Sequence, residues 1–162
     1  MSIPEGSKYN DKIREIGEIA EHLPDEYISS FVAEEVILFG SAVARGTEAE
    51  KTKTISSATN ELLGVAAKSF EASNFDDAAY AANDPVGVVR TGIVVVWVEE
   101  SVQPGDKVRV RHTSVSGKPA GVFCKTSEAG KTAVVEHAEW KSASEDGRAV
   151  LWVSGPLKMI AD

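Results

Sequence analysis

The spacing of apolar residues divides the chain into two parts, with a change of period near Phe31. Before that point the apolar residues recur at intervals of three and four, the period of a helix face. These residues are Tyr9, Ile13, Ile16, Ala20 and Leu23. Asn10 or Ser7 can cap the helix start, and Pro24 ends it because the residue before a proline disfavours the α conformation. The pattern predicts a helix at about residues 8–23 in an N-terminal arm, residues 1–31.

After Phe31 the apolar residues mostly alternate with polar ones, which is the period of a strand. The predicted strands are 36–45, 51–57, 62–69, 87–90, 92–99, 107–112, 121–125, 132–140 and 149–154. Many short strands separated by Gly- and Pro-containing turns are typical of a barrel or sandwich. We therefore expect a mainly β protein: one β-barrel or β-sandwich domain, jelly-roll- or tulip-like, at residues 32–162, preceded by the helical arm.

Two of these strands carry more specific predictions. Residues 92–99, Gly-Ile-Val-Val-Val-Trp-Val-Glu, do not alternate, which predicts a central strand covered on both faces. In residues 107–112, Val108 and Val110 alternate with Lys107, Arg109 and Arg111. That alternation predicts one apolar face and one basic, solvated face.

Composition limits the classes of function. The chain has 162 residues and a formal net charge of −8, so it offers no large positive field to a nucleic acid. Cys124 is the single cysteine, which excludes an intrachain disulfide. The N-terminus lacks the pattern of a secretory signal, and no apolar run approaches the roughly 20 residues of a membrane helix. We expect a protein made in the cytoplasm, with neither nucleic acid nor membrane as a partner.

The motifs of known chemistry are missing or incomplete. His22, His112 and His137 lack metal-ligand spacing, and Cys124 lies in an apolar strand pattern typical of a small buried residue. The Gly-Lys-Thr at 130–132 lacks the first glycine of a phosphate loop. Consecutive acidic pairs, such as 99–100, indicate solubilising charge. We expect no catalytic residue, cofactor or metal.

Of the three tryptophans, Trp140 is the best candidate for an exposed interface residue, since charged residues flank it.

Several segments, in their order along the chain, resemble the structural cement protein family of tailed-phage capsids. They are Leu-Phe-Gly-Ser-Ala-Val-Ala-Arg-Gly at 38–46, Leu-Gly-Val-Ala at 63–66, Asp-Pro-Val-Gly-Val-Val-Arg-Thr-Gly-Ile-Val-Val-Val at 84–96, Val-Gln-Pro-Gly-Asp-Lys-Val-Arg at 102–109 and Ala-Val-Leu-Trp-Val-Ser-Gly at 149–155. The resemblance covers roughly residues 36–153. It implies a non-enzymatic β-shell protein that binds the outside of an expanded head between capsomers.

The same resemblance implies the partners: the major capsid protein and the protein itself, as a homotrimer or, less favoured, a homodimer. The acidic helical segment before Phe31 is longer than the family pattern requires. We hypothesise that its apolar stripe docks on a neighbouring subunit or on the capsid, with Trp140 as a further contact.

Three alternatives remain: a helix folded on its own domain, a carbohydrate- or ligand-binding β-module that stacks its ligand on Trp140, and a hydrolase with an activated Cys124 or serine.

Overall fold

The computed structural model describes residues 14–162, which form twelve β-strands and one 3-10 helix, Phe75–Asp77. The strands are β1 (Ile19–Glu21), β2 (Tyr27–Ala33), β3 (Ile37–Leu38), β4 (Ala42–Arg45), β5 (Lys51–Thr54), β6 (Leu62–Ala66), β7 (Ala79–Tyr80), β8 (Pro85–Trp97), β9 (Arg109–Arg111), β10 (Phe123–Cys124), β11 (Thr132–Trp140) and β12 (Arg148–Ala161). The prediction of a mainly β protein is confirmed. No helix within these residues is long and apolar enough to cross a membrane.

Strand β8 organises the sheet. Its first half pairs with β2 on one side and β6 on the other, and its second half pairs with β12 and β1. Because valine and isoleucine pack well on a pleated, buried surface, this Val-rich strand suits a position with neighbours on both edges. The predicted central strand is confirmed, although the two predicted segments 87–90 and 92–99 form one continuous strand.

The strand pairings form two circuits that share β8. The first runs from β8 through β2, β5, β4 and β6 and returns to β8. The second runs from β8 through β12, β11, β9 and β10, and a bridge between Val98 and Phe123 returns it to the end of β8. Such circuits leave few unpaired strand edges, which reduces the risk of uncontrolled edge-to-edge association.

A bulge in β8 changes which residues of the strand face each of two hydrophobic clusters. Val89 pairs with Ile28 and Thr91 pairs with Tyr27, so one residue of β8 is extra at this point. The larger cluster contains Val89, Val94 and Val96, and the second contains Val86, Val88 and Val95. The side-chain alternation is therefore reversed across the bulge, close to Gly92, whose φ of 151° suits glycine. Both faces of β8 are buried, because one cluster covers each face.

The predicted helix at residues 8–23 is wrong over its described part. Residues 8–13, with Tyr9 and Ile13, lie outside the described residues. Ile16 and Gly17 form a turn, and Ile19–Glu21 is strand β1, which pairs with Ile93 and Val94. Gly17 has a φ of 79° and donates its N–H to the carbonyl of Val95 at 2.9 Å. Pairing with β8 has overridden a weak local helix preference.

The predicted domain boundary between residues 31 and 32 falls inside β2. Ile28 to Val32 pair residue by residue with β8, from Val89 to Pro85. Residues 19–31 are therefore part of the main sheet and do not form a separate helical arm.

Candidate functional site

The side chains predicted to dock on a partner lie against their own protein where the structure describes them. Ile16 is 7% exposed and belongs to the second hydrophobic cluster, and Ala20 packs against the same cluster. Leu23 is half-buried in the turn between β1 and β2. No helical docking stripe exists within residues 14–23.

The prediction that Trp140 is exposed is wrong. Its side chain is 3% exposed, lies in the larger hydrophobic cluster and meets Phe123 edge-on, with ring centroids 6.3 Å apart. Trp152 is half-buried on β12, and the Lys141 ammonium lies 4.5 Å from the centre of its ring. Charged neighbours at 139 and 141 mark the outer face of β11, whereas Trp140 points to the opposite, inner face.

The basic face predicted for residues 107–112 is solvated only at its start: Lys107 is exposed, Arg109 is half-buried beside Asp162, and Arg111 is buried in ion pairs. Arg111 is 1% exposed, and its Nε and Nη2 donate to the two carboxylate oxygens of Glu99 at 2.8 and 2.9 Å. Nη2 also donates to Glu128 at 2.7 Å. The hydrogen bonds from Arg111 and then Lys131 lower the pKa of Glu128, and those to Glu99 and Glu128 raise the pKa of Arg111. This network ties β9 to the segment after β8 and to the turn before β11.

Beside this network lie the side chains that most resemble a metal site among residues 14–162. Ligand atoms of Glu99, Glu100 and Cys124 lie within 4.8 Å of one another. However, Glu99 is engaged by Arg111, and Glu100 accepts hydrogen bonds from the hydroxyl and the N–H of Thr126 at 2.7 and 3.2 Å. Burial, reinforced by Glu99 and Glu100, raises the pKa of the Cys124 thiol to about 12. These groups are arranged as a structural network with a protonated thiol.

The sequence pattern supplied no signal for this network, because strand alternation records which face a residue occupies but not what covers that face. The prediction that Cys124 is a small buried residue is confirmed, since the thiol is fully buried. A thiol of this kind is a poor nucleophile, because the thiolate is the reactive form.

The surface of the described chain carries scattered large apolar side chains rather than a deep ligand cavity. They are Tyr27, Ile28, Val36, Leu38, Phe70 and Ile160. Phe70 stands out, with 81% of its surface exposed, and it lines a shallow cleft of about 250 Å³. A second cleft, of about 440 Å³, is lined by Phe75, the ring that lies against Phe70. Aromatic side chains that are exposed in this way are common at protein interfaces.

Comparison with known proteins agrees with a capsid role. The family described as "Structural cement protein (E217 gp24/Pam3 gp6)" matches residues 7–153. A chain from the solved structure "The capsid of Myoviridae Phage XM1" is similar in fold, with a TM-score of 0.71 and 18% sequence identity. The similarity covers 93% of this chain and 99% of the XM1 chain. No match is found among curated protein sequences.

The match extends from residue 7 through the first strand of the main sheet to the part of β12 that pairs with β8. It therefore includes strands of both pairing circuits. The family is structural and is not a class of enzyme. This chain belongs to the structural cement protein family of phage capsids.

Proposed function

We propose that this protein binds the outside of the mature phage head between capsomers and stabilises the shell against the pressure of the packaged DNA. The family match over residues 7–153 is the observation that carries the proposal. The major capsid protein is the proposed partner, together with further copies of the protein, most simply as a homotrimer. The protein would be made in the cytoplasm of the bacterial host and end on the virion surface.

The physical basis is preferential binding. A subunit that binds the mature shell and not its ruptured form stabilises that shell by mass action. Because many symmetry-related copies bind one head, a modest contribution from each copy adds up to a large resistance to rupture. The two pairing circuits support a rigid, barrel-like subunit with few open edges, which suits a protein present at high copy number.

Co-sedimentation tests the proposal. Purified protein is mixed with expanded and with unexpanded heads that lack it, and bound protein is measured after pelleting. We expect saturable binding to expanded heads only, and a higher temperature for heat-induced rupture of the decorated heads. Native mass spectrometry of the free protein measures the oligomer. Equal binding to both kinds of head, or no change in the rupture temperature, would contradict the proposal.

The N-terminal docking hypothesis is kept for the part of the chain before Arg14. Tyr9→Ala and Ile13→Ala, measured in the same binding assay, test whether these two side chains contribute. The alternative carbohydrate-binding module has no support within residues 14–162, because Trp140, its expected stacking platform, is buried.

A further inference from the structure

We propose that the loop at residues 69–78, called here the Phe70 loop, is the element that inserts into the shell protein, at an apolar recess surrounded by Lys and Arg side chains. The inference rests on the proposed function and specifies the partner surface. Its basis is the exposure, support and charge of this loop. No other large apolar side chain in residues 14–162 is as exposed as Phe70, at 81%.

The ring of Phe70 is exposed but held in place. It lies against Phe75, with ring centroids 5.1 Å apart, and the Lys68 ammonium lies 5.2 Å from the Phe70 centroid and 5.6 Å from that of Phe75. Lys68 itself is fixed by an ion pair with Glu15 and by donation of its N–H to the carbonyl of Gly17 at 2.8 Å. The aromatic ring is therefore presented on a positioned support.

The backbone of the Phe70 loop is anchored as well. The carboxylate of Asp84 accepts hydrogen bonds from the N–H and hydroxyl of Ser73, at 2.8 and 2.6 Å, and from the N–H of Ala81 at 2.8 Å. These bonds, led by the one from the Ser73 hydroxyl, lower the pKa of Asp84. Ala72 is buried in the second hydrophobic cluster. An anchored loop loses little conformational entropy on binding, and an aromatic residue on such a loop is a typical interface hot spot.

The charge of the Phe70 loop selects the kind of partner. Residues 69–78 contain Glu71, Asp76 and Asp77 and no lysine or arginine. All three carboxylates are exposed, and none forms an ion pair with another residue of 14–162. Two copies of the loop facing each other would bring like charges together, in a protein whose net charge is already −8. A basic surface on a different protein is the complementary partner.

Two clefts next to the Phe70 loop have room for side chains of the partner protein. The cleft of about 440 Å³ is lined by the aromatic rings of Phe39, Phe75 and Trp97, and its charged lining residues are Glu15, Lys68, Asp76 and Arg148. The cleft of about 250 Å³ is lined in part by Phe70 and Ile19. A partner can therefore bury Phe70 at the smaller cleft and Phe75 at the larger one, with its basic groups directed to the exposed carboxylates of the loop.

The experiment measures affinity for expanded heads at several salt concentrations with the full chain and three variants. Phe70→Ala should weaken binding at least about tenfold. The double variant Asp76→Asn/Asp77→Asn should weaken binding at low salt and reduce its dependence on salt, since surface charge pairs are screened. Ile160→Ala is the matched control, because Ile160 is also an exposed apolar residue. It lies near the C-terminal end of β12, whereas Arg148, which lines the larger cleft, is at the N-terminal end of that strand.

Melting temperatures verify that all variants fold. If wild-type protein binds and Phe70→Ala binds equally well, the inference is wrong and the proposed function stands. If Phe70→Ala changes the solution mass measured by native mass spectrometry, the loop contacts a second copy, which also overturns the inference. If wild-type protein fails to bind expanded heads, the proposed function fails, and the inference fails with it.

Discussion

At the scale of single residues, the Arg111–Glu99 pair is a buried ion pair whose loss should destabilise the protein. The side chains of Arg111 and Glu99 are 2% and 5% exposed. Removing one partner of a buried ion pair leaves an uncompensated charge, which costs about 3–5 kcal/mol. Arg111→Met should therefore lower the free energy of unfolding by about that amount, measured by urea denaturation.

Two further variants distinguish the buried pair from ordinary surface charge. The double variant Arg111→Met/Glu99→Leu should recover most of the loss, because no charge is then left unpaired at position 99. Arg45→Met breaks the Arg45–Glu61 pair, whose side chains are 33% and 59% exposed. It should cost about 1 kcal/mol or less. Equal costs for Arg45→Met and Arg111→Met would contradict this account of Arg111.

Cys124 gives a second prediction at this scale. Burial raises the pKa of its thiol to about 12, from an ordinary value of 9.0. The thiol therefore ionises at a lower pH in the unfolded chain than in the folded protein. Its contribution to stability is fully present below pH 9 and is lost as the pH rises from 9 towards 12, because ionisation then favours the unfolded chain. The stability of the wild type relative to Cys124→Ala should decrease over that range in urea denaturation. Fast labelling of native Cys124 by a thiol reagent at pH 8 would argue against its burial.

At the scale of elements, the contact between β6 and β8 depends on a glycine. A Cβ atom on Gly64 would lie 2.1 Å from the carbonyl oxygen of Val89, which is backbone and cannot rotate away. Gly64→Ala should therefore separate β6 from β8 and cost about 3 kcal/mol or more. Gly87→Ala on β8 is the control, since its Cβ would be 3.6 Å from Ile28, an ordinary contact. Similar melting temperatures for the two variants would contradict the close approach of these strands.

Strand identity was more predictable than strand partners. The pattern at 132–140 corresponds to β11 residue for residue, because one face of that strand is buried and the other exposed along most of its length. Strand β1 has only three residues and is held by hydrogen bonds to β8, far away in sequence. The apolar residues around it recur at the spacing of a helix face, and for such a short segment periodicity alone does not distinguish helix from strand.

At the scale of the whole molecule, the N-terminal strands are required to complete the sheet. Deleting residues 1–31 removes β1, most of β2 and the buried Ile16, and exposes the edge of β8 from Val86 to Thr91. We expect the truncated chain to lose cooperative unfolding in urea, because the first pairing circuit is opened. A truncated chain that keeps a cooperative transition near the wild-type midpoint would show that these strands are dispensable.

The sequence alone determined the properties that depend on local pattern: the mainly β class, the central Val-rich strand, the buried Cys124 and the resemblance to phage cement proteins. Only the tertiary structure decided how residues 14–23 pair, that Trp140 faces the core, that Arg111 is buried against Glu99, and that Phe70 remains exposed on an anchored loop. The reason is physical. Alternation reports the face a side chain occupies, whereas burial and pairing depend on segments distant in the chain that cover that face.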